Sequence, residues 1–322
     1  MSSCLLLPPA LSGRSTDDAR WKLFVRVPGA VDVGGPRSDG RVVVAGRDGL
    51  FLLRSSGTLA PFARGPAGYK PPRGEAYVAV APTRRIPRAR CSFRRGDVYA
   101  LDPIDRPGVN VINRAGHVHR LLDLPSGSFL SSIAFDTVGR FGYRLLVTAV
   151  VSNKTTLFAV DCRGRARVIA RGVVRVEGGS AVAPRTFGRF GGRLVAVDES
   201  GGGIYAFDAA GHVRLVARPP TPAGGDIGVE SVGFVPRGFG RRGVAYLADF
   251  GAPGSPTQGS DSVLSLSGSE LVRAHVAPGD LLVATEAGGV TFAVRCRRRC
   301  EARRIGRALP ATHAEGHIAF AQ

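Results

Sequence analysis

Leu157-Phe-Ala-Val-Asp-Cys-Arg-Gly164-Arg-Ala-Arg-Val-Ile169 and Ile204-Tyr-Ala-Phe-Asp-Ala-Ala-Gly211-His-Val-Arg-Leu-Val216 are one phrase written twice. Each is a short apolar run, a tight turn with glycine at its end, and a second apolar run. Runs of four to eight residues bounded by such a turn read as paired strands. Glycine stands where a tight hairpin needs a positive φ. Working outward, the phrase is found earlier at Leu50–Phe62 around Gly57 and at Val109–Leu122 around Gly116. It is found later at Val263–Gly268 and, with a triple-arginine turn, at Val290–Cys296. Gly57, Gly116, Gly164, Gly211 and Gly268 step by 59, 48, 47 and 57 residues. Those periods suit a four-stranded propeller blade, whose repeat is about 40–50 residues plus its loops.

A second phrase precedes several copies. Gly139-Arg-Phe-Gly-Tyr-Arg-Leu-Leu-Val-Thr148 matches Gly188-Arg-Phe-Gly-Gly-Arg-Leu-Val-Ala-Val-Asp198, and Gly240-Arg-Arg-Gly-Val-Ala-Tyr-Leu-Ala-Asp249 is a third version. Ahead of these loops, or at the chain end, lie small-residue strands at 76–81, 130–135, 178–183, 231–235 and 316–320, which fit the crowded axis of a ring. The expected fold is all-β: a single β-propeller of six four-stranded blades over residues 21–322, with five or seven blades as alternatives. Residues 1–20 are expected to be a poorly ordered N-terminal segment. No segment of ten or more residues carries a helical period. Both termini are expected to close the ring. Residues 23–27 would complete the last blade, with 281–285, 290–294 and 302–305, and residues 316–320 would join the first blade beside 41–45.

The composition has 44 basic and 25 acidic residues, a net charge of +19, and only three lysines among the basic ones. The arginines run from Arg14 to Arg307 without forming one stripe. Such a surplus attracts anionic polymers nonspecifically. Specific nucleic-acid recognition is disfavoured, because no aromatics are interleaved to stack bases. No stretch approaches the roughly 20 apolar residues of a membrane helix. The first eleven residues lack a basic start and are broken by Pro8 and Pro9, so no clear signal peptide is read there. Cys296 and Cys300 flank a hairpin turn and are a candidate disulfide. Cys91 and Cys162 are a second candidate, between neighbouring blades. Such bonds favour an extracytoplasmic home. A monomer is expected.

The chemistry gathers where inner strands begin. Gly74-Glu75-Ala-Tyr-Val78, Val176-Glu177-Gly-Gly-Ser180, Val229-Glu230-Ser-Val-Gly233 and Ala314-Glu315-Gly-His-Ile318 each place a glutamate at an equivalent position. In the third blade Ser131 and Ser132 stand there, and Asp226 lies just ahead of Glu230. Like charges at one narrow mouth repel unless a cation, an arginine or backbone N–H groups compensate them. Ca²⁺ or another divalent cation is the candidate, since carboxylates suit it. His313, Glu315 and His317 alternate along an extended strand and would share one face, as transition-metal ligands can. Asp198, Asp249 and Glu286 end second strands and read as turn-forming residues.

Glu230-Ser-Val-Gly-Phe-Val-Pro236 and Ser132-Ile-Ala-Phe-Asp136 resemble the Glu-Gly-Ile-Ala-Phe-Asp-Pro inner-strand phrase of gluconolactonase and senescence-marker propellers, and of NHL-repeat proteins. The resemblance covers the blade pattern over most of residues 40–320. In the enzymes of that group, acids and an asparagine at the start of inner strands hold one divalent cation, which polarises a lactone or ester. The resemblance implies that role for Glu75, Glu177, Glu230 and Glu315, although no asparagine stands at an equivalent position here. Two functions are therefore expected. One is a metal-assisted lactone or ester hydrolase with a small-molecule site at the channel mouth. The alternative is a non-catalytic extracytoplasmic binding propeller for an anionic polymer or a protein partner.

Overall fold

The computed structural model describes residues 19–82, 84–221, 228–255, 257–307 and 312–322. Four separate four-stranded antiparallel sheets follow one another along the chain, with inner strands Asp32–Gly34, Val78–Val80, Phe129–Phe135 and Ser180–Val182. The remaining long strands make one nine-stranded sheet. Within it, two four-stranded runs are joined by a single parallel pair, Val232 with His317. One run is Val229–Phe234, Leu281–Thr285, Val290–Cys296 and Cys300–Arg307, edged by Ala19–Arg20. The other is Ala314–Ala321, Val244–Asp249, Ser262–Ser267 and Lys22–Arg26. The inner strands touch in a closed circle, from Asp32–Gly34 through each in chain order to Ala314–Ala321 and back. The arrangement is propeller-like.

Burial explains the sequence of each blade. In the third, Leu145–Val151 is almost continuously apolar because neighbouring blades cover both its faces. The outermost strand, Ala166–Val173, is largely exposed and carries two arginines, Arg167 and Arg171. The hairpin glycines Gly57, Gly116, Gly164 and Gly211 all have positive φ, between 78° and 93°. Gly268 does not mark a hairpin. It opens a six-residue helix, Gly268–Arg273, capped by Ser267 and Glu270 in a reciprocal capping box.

Both termini close the ring, but in a different blade from the expected ones. Lys22–Arg26 pairs with Ser262–Ser267, and Ala314–Ala321 pairs with Val244–Asp249. Strand 229–234 pairs with 281–285 and not with the strand that follows it in sequence. Its successor, Val244–Asp249, has crossed into the neighbouring run. The final strand therefore meets the first blade only side by side, as adjacent inner strands. Ala19–Arg20, expected in the poorly ordered N-terminal segment, forms a short strand parallel to Gly306–Arg307. Residues 1–18, including Cys4, lie outside the described residues. No described helix is long and apolar enough to cross a membrane.

Cys91 is bonded to Cys162 and Cys296 to Cys300. The first bond ties the Arg84–Phe93 hairpin to the turn after the third blade's Lys154–Val160 strand, 71 residues on. Closing so long a loop restricts the unfolded chain more than the five-residue Cys296–Cys300 loop does. Replacing Cys91 and Cys162 with serine is expected to cost about 2–4 kcal/mol in urea titration. The same change at Cys296 and Cys300 should cost distinctly less, and equal costs would contradict the loop argument.

Candidate functional site

Glu75 and Tyr77 enter the second blade's inner strand through a tight turn in which the Tyr77 backbone N–H bonds to the Glu75 carbonyl at 3.0 Å, and Tyr77 is fully buried. Its hydroxyl lies 2.9 Å from Glu75 Oε2, 2.8 Å from Glu230 Oε1 and 2.8 Å from Glu315 Oε2. A phenol carries one proton, so it donates to one carboxylate at a time. The other two contacts need a proton or a cation between the oxygens. Glu230 and Glu315 are 1% and 3% exposed, and Glu75 is half-buried. No lysine or arginine pairs with these three among the described residues. Glu230 Oε2 is buried with no hydrogen-bond partner among them. Gly178, at φ +104°, leaves room for that oxygen; a Cβ there would come within 2.4 Å of it.

A second group adjoins the first through Glu315. His313 Nε2 is 3.2 Å from Glu315 Oε1 and 3.1 Å from Glu286 Oε1. Glu286, His313 and Glu315 each offer one ligand atom, all within 4.8 Å of one another. Asp249 fixes this segment by accepting the His313 backbone N–H at 2.8 Å.

The electrostatics follow from burial. Removal from water pushes the Glu230 carboxyl well above the usual range, and the charges of Glu199 and Glu75 push it further. Glu315 is raised in the same way, first by burial and then by Glu75, Glu230 and Glu286. Burial raises Glu75, against the lowering effect of its bond to Tyr77. The Tyr77 hydroxyl is raised well above its ordinary value by burial and by the three glutamates. The cluster thus favours protons, or any other cation, over bare charge.

The other predicted residues are placed differently. Glu177 is gripped by Arg175, which also reaches Glu199 at 3.4 Å, so its charge is compensated within the protein. His317 does not line up with His313 and Glu315. Gly316 takes φ +64° at a bulge where Glu315 opposes Ala248 and Ile318 opposes Leu247, which breaks the alternation. His317 Nδ1 instead meets Asp32, 2.9 Å from Oδ2. Asp32 also accepts backbone N–H bonds from Val33, Val78 and His317. Burial alone would lower the His317 imidazole, but the charge of Asp32, its hydrogen bond and backbone contacts at Ile133 and Ser180 together outweigh it, and the net shift is upward. Ser131 bonds to Thr148 and the Val176 carbonyl, and Ser132 bonds to Ser180, so both fasten the third blade to the fourth. Asp226 lies outside the described residues.

Sequence reasoning missed Tyr77, Asp32 and Glu286. Tyr77 had a usable signal, two residues after Glu75 at the entry to the same inner strand. Asp32, alone between valines, had a weaker one. Glu286 read as a turn residue, and only the fold brings it to His313. Beside this mouth is a cavity of about 300 Å³ whose wall includes Glu75, Tyr69, Pro71, Pro72 and Phe250. The Phe250 ring lies 5.8 Å from that of His313.

No protein-family model matches the chain, and no curated protein matches it. Solved structures do. A catalytically inactive virginiamycin B lyase from Staphylococcus aureus, bound to quinupristin, aligns with 92% of this chain and 78% of its own at 11% identity and a TM-score of 0.50. A gluconolactonase from Xanthomonas campestris aligns with 72% of this chain and 69% of its own, at 16% identity and a TM-score of 0.42. Regucalcin from Agrobacterium tumefaciens, a calcium-binding protein, covers 72% of this chain and 73% of its own at 14% identity and a TM-score of 0.40. At these identities the likeness is one of fold.

Proposed function

We propose that the ring is a six-bladed propeller whose glutamate mouth holds a divalent cation beside a small-molecule cavity, and that it hydrolyses a lactone or ester there. The observation that carries this reading is the set of buried carboxylates around Tyr77 and His313, with no arginine or lysine among the described residues paired to Glu75, Glu230 or Glu315. Glu286, His313 and Glu315 would be the ligands. A donor set of one imidazole and two carboxylates suits Mn²⁺ or Zn²⁺, while Ca²⁺ prefers oxygen alone. When bound, such a cation polarises a carbonyl oxygen and lowers the pKa of its water. Glu230 is the candidate proton carrier: burial and neighbouring carboxylates raise its pKa so that it holds a proton more readily than an exposed glutamate, and Tyr77 orients its Oε1. The walls of Tyr69, Pro71, Pro72 and Phe250 would seat the apolar part of the substrate and keep bulk water away. The two disulfides support an extracytoplasmic location for this activity.

Metal analysis of the purified protein tests the cation. Mn²⁺, Zn²⁺ or Ca²⁺ added to chelator-treated protein at about 100 times its Kd should stabilise the fold by about 2.7 kcal/mol. Melting temperature should rise by roughly 5 °C, and Glu315→Gln should abolish the rise. A metal-free protein whose melting ignores all three ions would overturn the cation site. Hydrolysis is tested separately on γ-lactones and aryl esters, with loss of turnover on chelation. Turnover that survives chelation would overturn the metal-assisted reading.

A further inference from the structure

Strand pairing sorts the arginines in a way the linear sequence hides. Neighbouring strands of each blade are antiparallel, so connections after inner strands and after third strands share one end of the ring. The inner strands finish around a single cavity of about 320 Å³, bordered by Gly35, Val80, Thr137, Val182, Pro236 and Phe320. The connections at that end are residues 35–41, 54–58, 81–97, 113–117, 136–144, 161–165, 183–193, 208–212, 235–243, 268–280 and 297–299. They hold 24 arginines and seven acids, a net +17 of the chain's +19. Connections at the glutamate end hold seven basic and eight acidic residues among those described. The arginines, scattered in sequence, are concentrated on one face.

One place on that face has the build of a site. A cavity of about 570 Å³ is lined by Arg37, Arg84 and Arg95, together with Ser38, Pro36 and Pro82. The Arg37 side chain is 3% exposed, and its guanidinium lies 4.6 Å from the centre of the Phe62 ring. Its Nε and Nη1 have no hydrogen-bond partner among the described residues. The nearest carboxylate oxygen in an ion-pair contact is Asp39 Oδ2, 3.9 Å from Nε, and Asp39 is already held by Arg41 at 2.7 Å. Arg84 and Arg95 enter no ion pair among the described residues. Burial, reinforced by the charges of Arg41 and Arg114, lowers the pKa of Arg37, though a guanidinium stays charged.

We propose that this cavity is a binding site for phosphate-bearing ligands, with Arg37 as its fixed seat and Arg84 and Arg95 as mobile arms. Three guanidinium groups around one cavity match a multiply charged tetrahedral anion better than a single carboxylate, and guanidinium geometry pairs two N–H groups with two phosphate oxygens. The ligand can be a free phosphate compound or one stretch of a phosphate polymer lying across the arginine face. The site is independent of the cation at the other mouth, so it is tested in metal-free buffer.

The experiment is calorimetric titration with inorganic phosphate, pyrophosphate and long-chain polyphosphate at fixed ionic strength. Pyrophosphate should bind saturably at one equivalent. Arg37→Gln should weaken it at least tenfold, and so should the double change Arg84→Gln with Arg95→Gln, which alters only exposed side chains and guards against misfolding. Arg73→Gln, on the opposite face, should change nothing. Affinity equal for pyrophosphate and polyphosphate assigns the site to a small ligand. Affinity rising with chain length and falling steeply with salt assigns it to a polymer. The proposal is overturned if no probe saturates, or if the Arg37, Arg84/Arg95 and Arg73 variants all bind alike.

Discussion

A chain that stops at His313 is expected not to fold. Of the nine residues removed, eight, Ala314–Ala321, form an inner strand with six register pairs to Val244–Asp249. They also lie against the inner strands of the first blade and of the Val229–Phe234 run. Seven of the eight are buried, including Ile318 and Phe320. Burying two such side chains contributes about 1.5–3 kcal/mol each. Their loss also strips Asp32 of His317, leaves Tyr77 without Glu315, and exposes an unpaired inner sheet edge. The total matches the whole margin of a typical fold, about 5–15 kcal/mol. The truncated protein should show no cooperative urea transition and no near-ultraviolet circular dichroism. A cooperative transition near that of the full chain would show that the ring does not depend on this strand.

Asp32→Ala is expected to cost about 3–5 kcal/mol, because it removes one partner of a buried charged pair. Asp32 is fully buried and accepts three backbone N–H bonds besides facing the His317 ring. These partners belong to three different inner strands, so the carboxylate works as a peg between the first, second and last of them. Asp32→Asn keeps an acceptor oxygen and should cost less, about 1–3 kcal/mol. Urea titration of both variants decides the matter. A cost below about 1 kcal/mol for alanine would mean that solvent or a neighbouring group replaces the peg.

The blade was legible because its signal is local. A glycine at positive φ between two apolar runs requires nothing from elsewhere, and Gly57, Gly116, Gly164 and Gly211 behave as their context dictates. Partner choice was not legible. Gly240–Asp249 reads like Gly139–Thr148 and Gly188–Asp198, yet its strand pairs with the C-terminal strand and not with the one before it. Nothing in a strand's own residues names its neighbour when every candidate is equally apolar. The glutamates were visible as a repeated position, and the structure brings Glu75, Glu230 and Glu315 to one hydroxyl. Glu177 stood at the same repeated position, but Arg175 two residues away takes its charge. His317 was misplaced because alternation assumes regular extended backbone, and Gly316 does not keep it. A Cβ at Gly316 would come within 2.3 Å of Asp32 Oδ1, so the bulge and the peg are one construction.

The crossing of Val244–Asp249 into the neighbouring run bears on how the protein is made. The first four blades are contiguous stretches of sequence, and each can pair its own strands soon after it leaves the ribosome. The two runs of the nine-stranded sheet cannot. Lys22–Arg26 must wait for its partner, Ser262–Ser267, some 240 residues later. The inner strand beside that partner's own neighbour, Ala314–Ala321, comes later still. The nine-stranded sheet must therefore wait, with open strand edges, for Ala314–Ala321. For the same reason, any one of the first four blades is a unit that recombination could exchange whole, whereas the two runs of the nine-stranded sheet can only be inherited together, with Lys22–Arg26 and Ala314–Ala321.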